Sequence, residues 1–106
     1  MTRNSCDIAQ ATLKAAGLHD YFAEESILGR ESCAPKPDPA GILMHLSRWS
    51  ATKSETAMVG DYHFDLQAGV NAGVKTVHLD VDNKNLWPDM TSVRVTSLPE
   101  LLQQID

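Results

Sequence analysis

Apolar positions recur along the chain with the two periods that distinguish helices from buried strands. Helical spacing predicts helices over residues 5–17, 38–49, 64–73 and 97–105. Short, mostly apolar runs predict strands at residues 25–29, 56–60, 74–79 and 93–97. The run at 56–60 does not alternate with polar residues, as expected of a strand covered on both faces. Helices that alternate with such strands indicate an α/β fold in which helices pack on a parallel sheet.

The N-terminal ends of two predicted helices carry residues that helix termini prefer. Asn4 or Ser5 can cap the first helix, and Gly17 can end it. Asp38 suits the N-cap of the second helix, with Pro39 at the first helical position. These signals fix where each helix begins more firmly than the apolar spacing alone.

The C-terminal half carries similar signals and one irregular connection. Gly73 can end the third helix, and Ser97 with Glu100 forms a capping box for the last one. Residues 80–92 are long for a loop. We interpret them as either a surface excursion or a contact region.

Length and composition predict one globular domain, spanning residues 1–106. The chain is 42% hydrophobic and 22% charged, which is typical of folded rather than disordered proteins. No apolar run approaches the roughly 20 residues that cross a bilayer, and no signal-peptide pattern opens the sequence. We therefore expect a cytoplasmic protein without a membrane partner.

Charge and cysteine content narrow the possible partners further. The net charge is −5, the pI is about 5.2, and no basic patch is interleaved with aromatic residues. These features argue against nucleic-acid binding. Cys6 and Cys33 fit neither a disulfide framework nor a zinc spacing, so we expect reduced thiols.

Two aspartates lie four residues apart just after the strand predicted at 56–60. Asp61 follows Gly60 at the carboxyl end of that strand, where open parallel sheets bind ligands. Asp65 falls in the first turn of the next helix and can turn back toward the same point. Two converging carboxylates suit Mg²⁺, which keeps several waters and accepts substrate phosphate. Alternatively, Asp65 complements the helix dipole and Asp61 caps a turn.

Two other stretches could bind an anion. Lys36 lies between two prolines before a helix, so its ammonium group is presented from a stiff backbone and can neutralise phosphoryl oxygens. It could also be an ordinary solvated lysine. Thr2 supplies a hydroxyl group, and the amides of Arg3 and Asn4 lie near a helix N-terminus, which is a ready anion site. Simple N-capping is the alternative for that tripeptide.

Together, these motifs resemble the haloacid dehalogenase-like phosphatase superfamily, in its phosphoglycolate-phosphatase-like branch. T-R-N opens a helix, K-P-D-P precedes another, G-D-x-x-x-D follows a strand, and A-G-V precedes the next strand. The order and spacing match the family's second, third and fourth motifs. The resemblance implies a three-layer, Rossmann-like parallel sheet with helices on both faces. It also implies a Mg²⁺-dependent phosphatase of small phosphomonoesters.

The resemblance assigns a role to each motif residue. It implies that Thr2 binds phosphate and that Lys36, as a catalytic residue, balances the charge of phosphate and nucleophile. It implies that Asp61 binds Mg²⁺ and that Asp65 is either a second ligand or its support. The cofactor expected from the family is Mg²⁺, and the expected partner is a small phosphorylated molecule.

The sequence departs from the family at the first motif, D-x-D-G-T, which carries the nucleophilic aspartate. Residues 1–106 contain no such segment and no cap domain, so they correspond to the C-terminal portion of the core domain. One D-x-D occurs at Asp80 and Asp82, but it follows the fourth motif and continues with Asn83 and Lys84. We interpret it as a solvated loop. Because the covalent mechanism needs the nucleophile, we expect the chain alone to be inactive.

The missing motif has a structural consequence as well. In the family, its strand lies at the sheet centre beside the strand at 56–60, and the second-motif strand comes next. Without both, a gap two strands wide would separate residues 25–29 from residues 56–60. We expect a homodimer, a missing N-terminal segment or a shifted strand at 25–29 to close this truncated sheet. The alternative function is a non-catalytic phosphate- or protein-binding module.

Overall fold

A computed structural model describes residues 1–104 of the chain. Residue 105, at the end of the last predicted helix, lies outside the described residues. The helices and strands are, in chain order, α1 (Cys6–Ala15), α2 (Ala40–Trp49), β1 (Ala57–Gly60), α3 (His63–Ala72), β2 (Lys75–Leu79), β3 (Val93–Val95) and α4 (Leu98–Gln103). No helix within residues 1–104 is both long and apolar enough to cross a membrane.

The three strands form one parallel sheet in the order β1–β2–β3. Val59 pairs with Val77, and Val77 pairs with Val93, so the carboxyl ends of all three strands lie at one edge. Helix α3 connects β1 to β2, as parallel pairing requires. This arrangement confirms the α/β class and the parallel sheet predicted from the alternation of periods.

The core lies where α2 and α3 meet and where α3 packs against β1 and β2. Its buried members come from both helices and from the residue just before β2: Ile42, Leu46, Ala68, Ala72 and Val74. Leu66 of α3 is fully buried. At Gly69, an added Cβ would lie 2.6 Å from Thr76 Cγ2 and 3.0 Å from Met58 Cβ. The helix therefore approaches the sheet more closely than any side chain would allow.

The strand predicted at residues 25–29 does not form. Glu24–Ser26 is a short 3-10 turn, and the residues after it are extended but join no sheet. Their contact is with the N-terminus, where Thr2 N donates to Leu28 O at 2.8 Å and Arg30 N donates to Asn4 O at 2.7 Å. Two isolated bonds do not make a ladder. The prediction was wrong because an apolar run becomes a strand only beside a neighbouring strand.

The prediction that both faces of strand β1 are covered was also wrong, and the strand lies at the edge of the sheet. Ala57 is exposed, and Val59 is 40% exposed. A groove of about 490 Å³ contacts this strand, lined by Met1, Phe22, Ile42, His45, Trp49 and residues 56–59. Within residues 1–104, no strand pairs with the free edge of β1. The expected gap is therefore open, and residues 25–29 have not shifted to fill it.

The helix ends follow the predicted chemistry with small differences of position. Ser5, rather than Asn4, caps α1 by accepting from Ile8 N at 3.2 Å. Asp38 Oδ1 accepts from Ala40 N at 2.8 Å, so it caps α2 although the helix begins one residue after Pro39. In the last helix, Ser97 caps as predicted, but the Glu100 side chain reaches the Thr96 amide instead.

Candidate active site

An ion pair between Lys36 and Asp65 joins the proline-rich segment to the first turn of α3. Lys36 Nζ donates to Asp65 Oδ1, and the two side chains are only 16% and 10% exposed. The second oxygen, Asp65 Oδ2, accepts from Tyr62 N at 3.3 Å. Both oxygens of Asp65 therefore have partners within the protein, and the buried lysine is not the solvated surface residue of the alternative interpretation.

Gly60 makes this arrangement possible at the end of β1. A Cβ at this position would lie 2.3 Å from Asp65 Cβ and 2.5 Å from its Oδ2. Because only a residue without a side chain fits there, Asp65 can fold back against the strand. The predicted convergence of Asp65 on the strand end is therefore present in the structure.

Asp61 differs from Asp65 in its surroundings. It is exposed and, within the described residues, makes no hydrogen bond or ion pair. It is the first residue after β1, at the edge where the strands end. Of the two aspartates, Asp61 is the one whose carboxylate oxygens are free to bind a ligand.

The N-terminal tripeptide contributes Thr2 to the same region. Thr2 and Lys36 line one small cavity, which brings the predicted second- and third-motif residues together. Thr2 Oγ1 accepts from Asn4 N at 3.2 Å. The guanidinium group of Arg3 lies 5.4 Å from the centre of the Phe64 ring, on α3. The three residues therefore precede the α1 cap rather than forming it.

The positive charge of Lys36 affects the pKa of the amino group of Met1. Burial and, next, the nearby Lys36 ammonium lower the pKa of the Met1 amino group. The Asp65 carboxylate acts in the opposite direction on the same group. The Lys36 ammonium has donor hydrogens besides the one bonded to Asp65, so it can also bind an anion.

Asp80 and Asp82 belong to a turn. Asp80 is 6% exposed, and its carboxylate accepts from Asn85 N at 2.8 Å, from Lys84 N at 3.1 Å and from Arg94 Nη1 at 3.2 Å. These bonds, led by that of the Asn85 amide, lower the pKa of Asp80. Asp82 is exposed. A carboxylate with this many partners organises the turn, in agreement with the interpretation of the D-x-D as a loop.

A cluster of aromatic rings beside the site was missed by sequence reasoning. Tyr62, His63 and Phe64 follow Asp61 directly, and Trp87 lies 5.8 Å from Tyr62 and 5.6 Å from His63 between ring centres. The run of three aromatic residues after the G-D pair was a usable signal. The contribution of Trp87 was not, since 22 residues separate it from that run in the sequence and only the fold joins them.

The donor set limits what metal chemistry the chain can support. Within residues 1–104, no group of three or more His, Cys, Asp or Glu side chains is arranged to hold a metal ion. Mg²⁺ needs only one or two protein carboxylates when water and phosphate complete its octahedron. Asp61 can supply one such oxygen.

Comparison with known proteins finds relatives over about two thirds of this chain. A region of 71 residues is 41% identical to the pyrophosphatase PpaX of Listeria welshimeri, covering 66% of this chain and 32% of that protein. Seventy residues are 43% identical to the probable phosphatase IndB of Dickeya dadantii, covering 65% and 30%. The chain thus spans about a third of the length of these curated relatives.

A solved structure and a family model match most of the chain. The crystal structure of 2-haloacid dehalogenase from Pseudomonas syringae pv. tomato superposes with a TM-score of 0.66 at 27% identity, covering 89% of this chain and 43% of that one. The family model described as haloacid dehalogenase-like hydrolase matches residues 1–79, which include every predicted site residue. The chain therefore belongs to the haloacid dehalogenase-like hydrolase family.

Proposed function

We propose that this chain forms the phosphate- and metal-binding part of a Mg²⁺-dependent phosphatase of small phosphomonoesters. The observation that carries the proposal is the largely buried Lys36–Asp65 pair at the end of β1, next to the unengaged Asp61. Relatives named as phosphatases support the reaction class. Another relative, the acid sugar phosphatase of Staphylococcus aureus, is 40% identical over 62 residues.

Each site residue has a distinct task in this proposal. Asp61 would hold Mg²⁺, whose chemistry is to withdraw charge from phosphoryl oxygens. Asp65 positions Lys36 rather than binding the ion, because both of its oxygens already have partners. Lys36 and Thr2 bind the phosphoryl group, with the amides of Arg3 and Asn4 nearby. The nucleophile must come from a residue outside this set, because no D-x-D-G-T occurs in residues 1–106.

Phosphate binding can be measured without turnover. We expect inorganic phosphate with Mg²⁺ to shift the amide resonances of residues around Lys36, and Lys36→Met to weaken that binding at least about tenfold. Arg94→Met removes the cation of the other buried-carboxylate pair and serves as the matched control, with phosphate affinity unchanged. Equal affinity in wild type and Lys36→Met would contradict the proposed site.

Metal binding should separate the two aspartates. We expect weak Mg²⁺ affinity that Asp61→Asn abolishes, whereas Asp65→Asn lowers it less and mainly destabilises the fold by leaving Lys36 buried without its partner. Titration calorimetry for Mg²⁺, together with urea unfolding of both variants, tests this expectation. Tight Mg²⁺ binding that survives in both variants would show that the ion lies elsewhere.

Activity provides the complementary test. With Mg²⁺ present, we expect the 106-residue chain to hydrolyse p-nitrophenyl phosphate no faster than buffer alone does. The covalent mechanism requires a nucleophile, and without it the phosphoryl group cannot be transferred to the protein. Joining a segment that carries an apolar strand and D-x-D-G-T to the N-terminus should give Lys36-dependent turnover. Mg²⁺-dependent turnover by the chain itself, abolished in Asp80→Asn, would identify the D-x-D at 80–82 as the nucleophile motif.

The free edge of β1 supports a second candidate, a protein-binding module. Its groove is lined mostly by apolar side chains and by the free edge of β1, and such an edge recruits another strand. The sheet can be completed by a segment carrying the first-motif strand or by a second copy of the chain in a two-fold dimer. Light scattering during size exclusion tests the dimer, and a monomer at every concentration would exclude it.

A further inference from the structure

The segment that carries Lys36 is rich in proline and therefore poor in backbone donors. Residues 34–39 include three prolines, which have no amide N–H and cannot donate a backbone hydrogen bond. One of the remaining amides, Asp38 N, donates to Pro35 O at 3.0 Å within the segment itself. Such a segment is held against the rest of the protein mainly through its carbonyl oxygens and its side chains.

Hydrogen bonds connect this segment to α3 at two points. Lys36 Nζ donates to Asp65 Oδ1 in the first turn of the helix. The carbonyl oxygen of Pro37 accepts from Asn71 Nδ2 at 3.0 Å near the end of the helix. Asp65 and Asn71 are six residues apart, which corresponds to about 9 Å along a helix. The segment is therefore attached at two separate places along one rigid element.

The side-chain amide of Asn71 is oriented by a second bond, from Gln67 one turn earlier in α3. Gln67 Nε2 donates to Asn71 Oδ1 at 3.0 Å, so the oxygen of the Asn71 amide is occupied and its nitrogen faces Pro37. Asn71 is exposed, and asparagine is a weaker helix former than alanine. Neither core packing nor helix propensity favours an asparagine at this position, whereas the bond to Pro37 requires a side-chain donor.

The bond to Pro37 restrains the backbone of Lys36. Because the proline ring locks φ at Pro37, few backbone rotations lie between its carbonyl oxygen and the Cα of Lys36. The lysine side chain is a flexible four-carbon stem, whose far end is held by Asp65. The Asn71 bond restrains the near end of the same stem. A stem held at both ends has fewer conformations to lose when the ammonium binds an anion.

We propose that Asn71 is a positioning residue for Lys36: by holding the Pro37 carbonyl, it sets where the Lys36 ammonium lies at the carboxyl end of β1. This inference rests on the proposed function, in which that ammonium binds the phosphoryl group. Asn71 itself contacts neither phosphate nor metal in the proposal and acts through Lys36. Loss of its bond to Pro37 should therefore weaken phosphate binding without removing any group that contacts the anion.

Two alanine variants isolate the bond to Pro37. Asn71→Ala and Gln67→Ala both remove the bond between these two side chains, but only Asn71→Ala removes the bond to Pro37. With Mg²⁺ present, we expect Asn71→Ala to weaken the binding of inorganic phosphate about three- to tenfold and Gln67→Ala to leave it unchanged. Urea unfolding should respond alike in the two variants. Phosphate affinity equal to that of the parent in Asn71→Ala would overturn the proposal and leave the bond a merely structural role.

A second pair of variants tests the donor atom while preserving side-chain size. Asn71→Asp keeps an acceptor oxygen for Gln67 but cannot donate to the Pro37 carbonyl. Gln67→Glu adds the same negative charge one turn earlier and leaves the bond to Pro37 in place. We expect Asn71→Asp to weaken phosphate binding more than Gln67→Glu does. Equal weakening in the two variants would assign the effect to the added charge and reject the positioning role.

The Lys36 ammonium itself provides a measurement that needs no phosphate and so separates this inference from the proposed function. Its ¹H–¹⁵N resonance is assigned by its absence in Lys36→Met. We expect Asn71→Ala to shift that resonance and Gln67→Ala to leave it in place. If Asn71→Ala shifts it while phosphate does not bind the parent chain, Asn71 positions Lys36 but the proposed function fails. Lys36-dependent phosphate binding with an unchanged resonance in Asn71→Ala would keep the phosphatase proposal and reject the role of Asn71.

Discussion

Helices α1 and α3 each have ten residues, but their positions in the molecule differ greatly. Helix α3 buries five of its residues between β1, β2 and α2, whereas α1 buries none. The same contrast extends to their surroundings. Residues 57–95 contain every strand of the described sheet, while residues 1–36 contain none.

The contrast shows which contacts a helix and a strand each require in order to form. A helix satisfies its hydrogen bonds internally, so α1 forms with its first turn capped by Ser5 although none of its residues is buried. A strand satisfies its hydrogen bonds on a neighbour, so residues 56–60 pair with β2 whereas the similar run at 25–29 remains single. We infer that the C-terminal region carries most of the folding free energy of this chain.

The largest expected effect comes from a matched pair of leucines. Leu66 in α3 is fully buried, and Leu18 after α1 is 46% exposed. Leu66→Ala should lower the free energy of unfolding by about 2–5 kcal/mol because it leaves a cavity. Leu18→Ala should change it by about 0.5 kcal/mol. Urea unfolding followed by circular dichroism measures both, and comparable losses would contradict the division into a stable and a marginal region.

A smaller effect is expected from the free edge. Val59 is exposed on β1 and lines the groove, and Val70 is exposed on α3 outside it. If two chains associate through the edge, Val59→Lys should raise the dissociation constant about tenfold by placing a charge in the interface, which corresponds to about 1.4 kcal/mol. Val70→Lys should leave it unchanged. Light scattering over a concentration series measures association, and an equal response of the two variants would argue against this edge.

The smallest expected effect is a pH dependence of stability from His45, which lines the same groove. Burial, and next the positive charges of the Met1 amino group and Arg48, hold the pKa of His45 below its ordinary value of 6.5. The unfolded chain therefore binds the proton more readily, and stability should fall as the pH drops below 6.5 toward the folded-state pKa. His45→Gln should flatten this slope in urea unfolding at pH 5.5 and 7.5, and a slope unchanged in the variant would assign it to other groups.

The sequence predicts correctly those elements that depend only on residues close to one another in the chain. The α3 helix, its Gly73 end and the approach of Asp65 to the strand end all follow from one continuous stretch. The strand at 25–29 was predicted wrongly because strand formation depends on a partner that spacing does not reveal. The contact of Trp87 with the rings after Asp61 depends on the register of β1 with β2 and on the path of the 80–92 loop, so no local pattern could have predicted it.

Two glycines fix the distance between α3 and the sheet, at Gly60 on the strand and Gly69 on the helix. Elsewhere in a core, side chains separate the helix from the sheet. There, a substitution that enlarges one side chain can be compensated by a smaller residue beside it. Here backbone meets side chain directly, so a side chain added at either glycine would clash unless Asp65, Thr76 or Met58 moved or became smaller. The positions of Asp61 and Asp65 therefore depend less on substitutions elsewhere in the core than on these two glycines. Both carboxylates depend directly on the absence of a side chain at Gly60 and Gly69.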